Sequence, residues 1–276
     1  MDPGAAPVKG FFCADYEPQQ SVAPGESVSF HAFNARWHWE PGDDPERPEG
    51  SGHALAGPFE VRGAKAGRTL VVRIGEVTPR TWGETFAGGE RFAWTLEGGR
   101  WACGAHRVAS APFLGVIGMP PPEPGEHSTI PPRRWGGNID CKLLVAGTTL
   151  YLPIPVDGAL LMAGDCHGAQ GDGEVSGTAI EAPLERATLT LDVADLELRM
   201  PIARVDGAWV AFGFDEDLDA AAAQATETML DVIERELALS RKEALALASV
   251  AVDLHVTQVV NIAKGVHAIL PDDAYR

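Results

Sequence analysis

Glycine and proline interrupt this chain so often that long helices are excluded over most of its length: 31 of the 276 residues are Gly and 21 are Pro. Proline removes a backbone donor and glycine carries the largest entropic cost of ordering, so both collect at turns. The runs between them are short and alternate. In VSFHAF (28–33), Val28, Phe30 and Ala32 share one face. In LVVRIGEV (70–77), Leu70, Val72 and Ile74 share a face opposite Arg73. Period-two alternation of this kind marks half-buried strands. KLLVAGTTLYLPIPV (142–156) reads as two strands around Gly147, and ATLTLDVADLELRMPIARV (187–205) continues the pattern. Asp206-Gly207, between RMPIARV and AWVAFGF, is the strongest hairpin signal. Residues 40–57 and 118–135 are rich in Pro, Gly and charge and read as long loops.

Helical periodicity comes late. Leu218, Ala222, Ala225, Met229 and Val232 form one stripe, preceded by Asp215, Glu216 and Asp217 where acidic charge suits a helix N-terminus. Ser240 with Glu243 makes a capping box for a second helix. The predicted fold is mainly β. A β-sandwich or jelly-roll-like core spans 1–205 and carries the candidate site. A C-terminal α+β segment, 206–276, packs on it with helices at about 216–238 and 241–251.

With 45% apolar residues the chain is able to bury a sizeable core. Its formal charge of -17 disfavours nucleic acid and anionic membrane surfaces but leaves a small neutral ligand unaffected. Residues 1–10 contain no apolar leader-like run, and no stretch reaches transmembrane length, so a cytoplasmic location is expected. Cys13, Cys103, Cys141 and Cys166 show no CxxC spacing and read as free thiols.

Ligand-type side chains concentrate in three segments: GGNID (136–140), GDCHGAQGDGE (164–174) and HAFNARWHW (31–39). The second carries Asp165, His167, Gln170, Asp172 and Glu174 within ten residues. Its glycines prevent a stable helix and allow turns that aim several side chains into one volume. Asp165 and His167 are two apart, so an extended backbone puts them on one face, which suits zinc, while Cys166 points the other way as a packed thiol. Asp140 and Asp172 have an alternative as turn residues, which is favoured for Asp172, and His31 as an ordinary strand residue. His53, His106, His127, His255 and His267 lie in unrelated contexts and read mostly as bland. No GxGxxG, P-loop, HExxH or GxSxG pattern is present, which leaves metal-assisted chemistry as the simplest route.

Several of these segments resemble one family. AGPFEVRGAKAGRTLVVRI (56–74), FLGVIGMPP (113–121) and the block from 131 to 181, which holds GGNID, GDCHGAQGDGE and the following GTAIE, are similar to acetamidase/formamidase sequences. So are 246–261 and KGVHAILP (264–271). The resemblance implies hydrolysis of a small-molecule amide to ammonia and a carboxylate. It also implies a divalent metal, with zinc expected, and a homo-oligomer of dimer size or higher. It points to Asp140, Asp165 and His167 as metal ligands, with Gln170 and Glu174 beside them. In the mechanism this suggests, Glu174, or another carboxylate such as Asp140, is the base, and Asn138 or backbone amides stabilise the oxyanion. Asn34 stands where family members carry Asp, and Arg68 where they carry another Asp. Two other readings remain open: a hydrolase of lactams or bulkier amides, and a non-catalytic ligand- or metal-binding β module.

Overall fold

The computed structural model describes residues 8–275, so most of the 1–10 stretch, where no leader-like run is expected, lies outside the described residues. Two large sheets face each other. The first runs, in spatial order, through Asp253–Gln258, Lys264–Pro271, Ala208–Asp215, Ile202–Val205, Thr149–Pro153, Thr69–Pro79, Leu184–Ala194 and Glu26–Ala32. In the second, the strand Leu161–His167 is central and pairs with Phe113–Gly118, Leu55–Val61 and Glu181–Ala182. Val28, Leu70, Val72, Ile74 and Leu189 from the first sheet meet Phe59, Leu114, Ile117, Leu161 and Cys166 from the second in one buried cluster. That is the expected sandwich, with alternate residues of each strand turned inward.

A third layer covers the outer face of the first sheet. Helix α1 (Leu218–Leu237) and helix α2 (Arg241–Ala251) bury Ala221, Ala225, Met229, Ile233 and Ala244 against Ile202, Ala211, Val266 and Ala268. AWVAFGF looks apolar throughout because it is covered on both sides: Val210 and Phe212 face the inter-sheet core, and Ala211 faces the helices. Gly213 permits this approach, since a Cβ there would lie 2.1 Å from the Ala221 carbonyl oxygen. The caps follow the sequence. Asp217 accepts from the amides of Asp219 and Ala220, and Ser240 and Glu243 form the reciprocal box. The 206–276 segment thus adds strands to the first sheet as well as helices over it.

Val205 pairs with Ala208 across the Asp206-Gly207 turn, as the hairpin signal predicts. The 40–57 and 118–135 segments are loops apart from the start of Leu55–Val61, the end of Phe113–Gly118 and the two-residue strands His127–Ser128 and Pro132–Arg133. A second expectation fails outright. Residues 142–156 contain a single strand, Thr149–Pro153, while 141–148 coil through successive turns with Cys141 and Val145 carbonyls accepting from Leu144 and Thr148. Leu144 is fully buried from a turn, so the apolar run reports burial and not extended backbone. Among the described residues no helix is long and apolar enough to cross a membrane.

Candidate active site

The strand Leu161–His167 is buried along its whole length and ends in the ligand-rich segment. His167 lies directly across from Glu181 in the antiparallel register, so their side chains share a face. His167 Nε2 is 3.3 Å from Glu181 Oε2 and 3.2 Å from Asp165 Oδ2. Asp140 arrives from the end of GGNID, with Oδ1 3.8 Å from His167 Nδ1. The ligand atoms of Asp140, Asp165 and His167 all lie within 4.8 Å of one another, and so do those of His167, Glu174 and Glu181. All five residues are buried. The three positions expected to converge from the sequence therefore do so.

Gly115 makes the convergence possible. It sits between Leu114, paired with Cys166, and Val116, paired with Gly164. A Cβ on Gly115 would lie 2.6 Å from Asp165 Oδ2, 2.7 Å from Asp140 Oδ1 and 2.9 Å from His167 Cε1. Its carbonyl also accepts from the amides of Ile139 and Asp140, fixing the second loop over the first strand. Asp140, Asp165 and Glu174 take positive φ of 52°, 58° and 45°. Each such non-glycine residue costs on the order of 1 kcal/mol, and here the strain falls on three site carboxylates.

Gln170 holds the imidazole. Its Nε2 donates to the Asp140 carbonyl oxygen at 2.7 Å, which leaves Oε1 to accept from His167 Nδ1 at 2.8 Å. A backbone carbonyl only accepts, so this bond orients the amide and places the His167 proton on Nδ1. Nε2 is then the nitrogen that faces Asp165 and Glu181, and it would become a ligand where a bound cation displaced its proton. Asn261 Nδ2 donates to Asp140 Oδ2 at 2.7 Å. His53 Nε2 lies 3.9 Å from Asp165 Oδ2 while its Nδ1 meets Thr129.

The cluster is electrostatically crowded. Burial, then the nearby Asp165, pushes Asp140 up to about 7 against the pull of His167. Burial, then Asp140, raises Glu174 to about 9. Burial also raises Glu181. Asp165 is buried too, but His167 and His53 outweigh that and hold it below the ordinary carboxylate range. His167 is raised well above its usual value because Glu181 and Asp165 overcome its burial. Asp140 Oδ1, Asp165 Oδ1 and Asn138 Oδ1 are buried without a hydrogen-bond partner. Orphaned carboxylate oxygens around one imidazole, over a cradle that a single methyl would fill, form a donor set that fits a divalent cation with N and O ligands.

Asn138 is buried on the short strand Gly136–Asn138 opposite Val116. Glu174, Gln170, Trp94, Val108, Ala169 and Ile180 are among the residues lining a pocket of about 230 Å³ beside the cluster. Cys166 packs in the inter-sheet core, and burial pushes Cys141 up to about 12 and Cys166 higher still. Neither is a poised thiolate. Asn34 is buried in a turn beside Glu84. Its Oδ1 accepts from the amides of Arg36 and His38 in a tight turn, and its Nδ2 donates to buried Glu84 at 3.2 Å. Sequence reasoning passed over Glu181, Asn261, His53 and Gly115. Glu181 closes the quoted GTAIE segment, but only strand register brings it to His167.

A model of the Acetamidase/Formamidase family matches residues 124–202. Among curated proteins, the acetamidase of Mycolicibacterium smegmatis is 48% identical over 48 residues, 17% of this chain and 12% of that protein. A putative formamidase of Schizosaccharomyces pombe is 28% identical over 196 residues, 45% of this chain and 47% of that protein. The matches thus span half or less of these curated relatives. Solved structures align along nearly the whole chain. An acetamidase from Bacillus halodurans has a TM-score of 0.88 and 31% identity, covering 96% of this chain and 95% of that one. A predicted acetamidase/formamidase from Thermoanaerobacter tengcongensis has a TM-score of 0.88 and 25% identity over 96% and 93%. A γ-lactamase from Delftia acidovorans shares the fold, with a TM-score of 0.66 and 22% identity over 99% and 91%.

Proposed function

The chain belongs to the acetamidase/formamidase family, and from that premise we propose that it hydrolyses small neutral amides to ammonia and a carboxylate with the help of a bound divalent metal, zinc first. The observation that carries the metal assignment is the meeting of Asp140, Asp165 and His167 over Gly115, with carboxylate oxygens left unpaired. Those three residues would hold the ion, with Glu181 beside them. When bound, a divalent cation supplies Lewis-acid chemistry, lowering the pKa of water and polarising a carbonyl.

The protein's own groups do the rest. The pocket of about 230 Å³ offers Trp94, Val108 and Ile180 to a short acyl group and Glu174 to the reacting amide. Water adds to the carbonyl carbon as Glu174 takes one of its protons. The same carboxyl then gives that proton to nitrogen as the C–N bond breaks, and ammonia leaves. Burial and Asp140 hold the Glu174 carboxyl well above an ordinary glutamate, so it keeps its proton near neutrality until the positive charge of a bound cation beside it would draw that proton off and free it to act as base. The sequence reading gives the developing oxyanion to Asn138, which is buried opposite Val116 and does not line this pocket, so its role there stays an expectation. Gln170 is a positioning residue, since both ends of its amide are engaged in fixing His167 and the Asp140 loop.

Ammonia release from formamide and acetamide tests the reading. Wild type should turn over at least one of them, and Glu174→Gln, which keeps shape but not basicity, should lose at least a hundredfold in kcat. Full turnover by Glu174→Gln would remove it from proton transfer.

A further inference from the structure

A second ligand set lies outside this centre. The strands Asp253–Gln258 and Lys264–Pro271 are antiparallel, and His255 pairs directly with His267. Side chains of directly opposed residues project to the same face. The two rings stack with centroids 5.2 Å apart and planes 13° apart. Asp172 reaches them from the 168–177 loop, its Oδ2 3.4 Å from His255 Nδ1. Ligand atoms of Asp172, His255 and His267 all lie within 4.8 Å of one another.

His267 is 1% exposed. Its Nδ1 meets Thr257 Oγ1 at 2.8 Å, while its Nε2 is buried with no partner. An unsatisfied buried nitrogen is costly unless something completes it. We propose that Asp172, His255 and His267 form a second divalent-metal site, selective for a zinc-like transition ion and separate from the Asp140–Asp165–His167 centre.

Two imidazoles and one carboxylate match the ligand preferences of zinc, whereas magnesium and calcium favour all-oxygen cages. In the proposed site the Thr257 hydroxyl, 2.8 Å from Nδ1, takes the Nδ1 proton and so presents the Nε2 lone pair, as partners of metal-bound histidines commonly do. Zinc donors lie at about 2.0–2.2 Å from the ion, which sets tetrahedral neighbours roughly 3.4 Å apart. Closing the present set therefore takes movements of about 1 Å. The partly exposed side chains of His255 and Asp172 are able to supply them, and the buried His267 stays fixed. Lys142 Nζ now sits 2.9 Å from Asp172 Oδ2. The carboxylate already attracts a cation at this point, and Lys142 is exposed enough to swing away.

Asp172 lies between Gln170 and Glu174 in sequence, and Gly173 already exchanges backbone hydrogen bonds with Thr257 and Val259. An ion here clamps the loop that carries Gln170 and Glu174 onto the C-terminal hairpin. The site is a control point for loop rigidity, not a centre for chemistry.

The test uses the full chain, stripped with chelator and titrated with zinc by calorimetry, with bound zinc counted by elemental analysis after gel filtration. Wild type should bind one ion more than His255→Ala, while His167→Ala keeps the His255-dependent ion. Asp172→Asn should weaken that same ion at least tenfold. His255 is partly exposed, so a thermal melt on the stripped variant should match stripped wild type. Equal zinc stoichiometry in wild type and His255→Ala, or no binding by wild type, overturns the proposal. If the inner centre takes no metal, wild type binds one ion and His255→Ala none, which separates failure of the inner assignment from failure of this one.

Discussion

Gly115→Ala puts a methyl where the ligands converge. The new Cβ would stand 2.6 Å from Asp165 Oδ2 and 2.7 Å from Asp140 Oδ1, while ordinary contact begins at 3.4 Å. The carboxylates must therefore retreat by about 0.7–0.8 Å. Gly115 itself lies in a regular strand without positive φ, so the backbone tolerates alanine. Overpacking of this size costs about 1–3 kcal/mol. Displacing catalytic groups by something near 1 Å costs roughly a hundredfold in rate. The variant should fold, melt a few degrees lower, lose the Asp140–Asp165–His167 ion and release ammonia from acetamide or formamide at about 1% of wild-type rate or less. Elemental analysis, a thermal melt and an ammonia assay read all three. A folded Gly115→Ala protein with native metal content and native turnover would refute the argument that the centre is built over this glycine.

Gln170→Ala removes the acceptor that fixes the His167 tautomer and should weaken zinc binding at the inner centre by 10–100-fold, read by competition with a chromogenic chelator. Asn34→Asp brings a second carboxylate to about the 3.2 Å that now separates the amide from buried Glu84. It should lower unfolding free energy by about 1–3 kcal/mol in a denaturant titration and leave zinc stoichiometry unchanged; tighter zinc binding would make position 34 part of the centre. Cys166→Ser should keep most of its turnover while losing about 1–3 kcal/mol of stability for a hydroxyl buried in an apolar core; complete loss of turnover in a folded variant would make the thiol a nucleophile. Light scattering coupled to gel filtration should give a homo-oligomer, as the family resemblance implies, and a monomer at assay concentration would remove that expectation.

What could be read from the sequence was mostly local. Ser240 with Glu243, Asp217 before the helical stripe and Asp206-Gly207 between alternating runs each signal structure through residues a few positions apart, and each is realised. Asp165 and His167 were legible for the same reason, being two apart on one strand. Glu181 reaches His167 only through strand register, and Asn261 meets Asp140 across 121 positions. Period and composition carry no trace of such pairings. Gly115 lies in the family-like FLGVIGMPP segment, but nothing in FLGVIG distinguishes a glycine that clears space for ligands from one that bends a strand. The misread around Gly147 has a related origin: Leu143, Leu144 and Val145 look strand-like because they are apolar, but turns bury Leu144 equally well.

The most direct test of the account is zinc reconstitution of the stripped His255→Ala protein, followed by ammonia release from acetamide and formamide at each step. With the hairpin site removed, turnover should rise linearly with zinc and level off at one ion per chain. Asp165→Asn in the same background should neither bind that ion tightly nor regain activity. Full turnover by the metal-free protein, or turnover indifferent to Asp165 and His167, would contradict a metal-assisted amidase built on Asp140, Asp165 and His167.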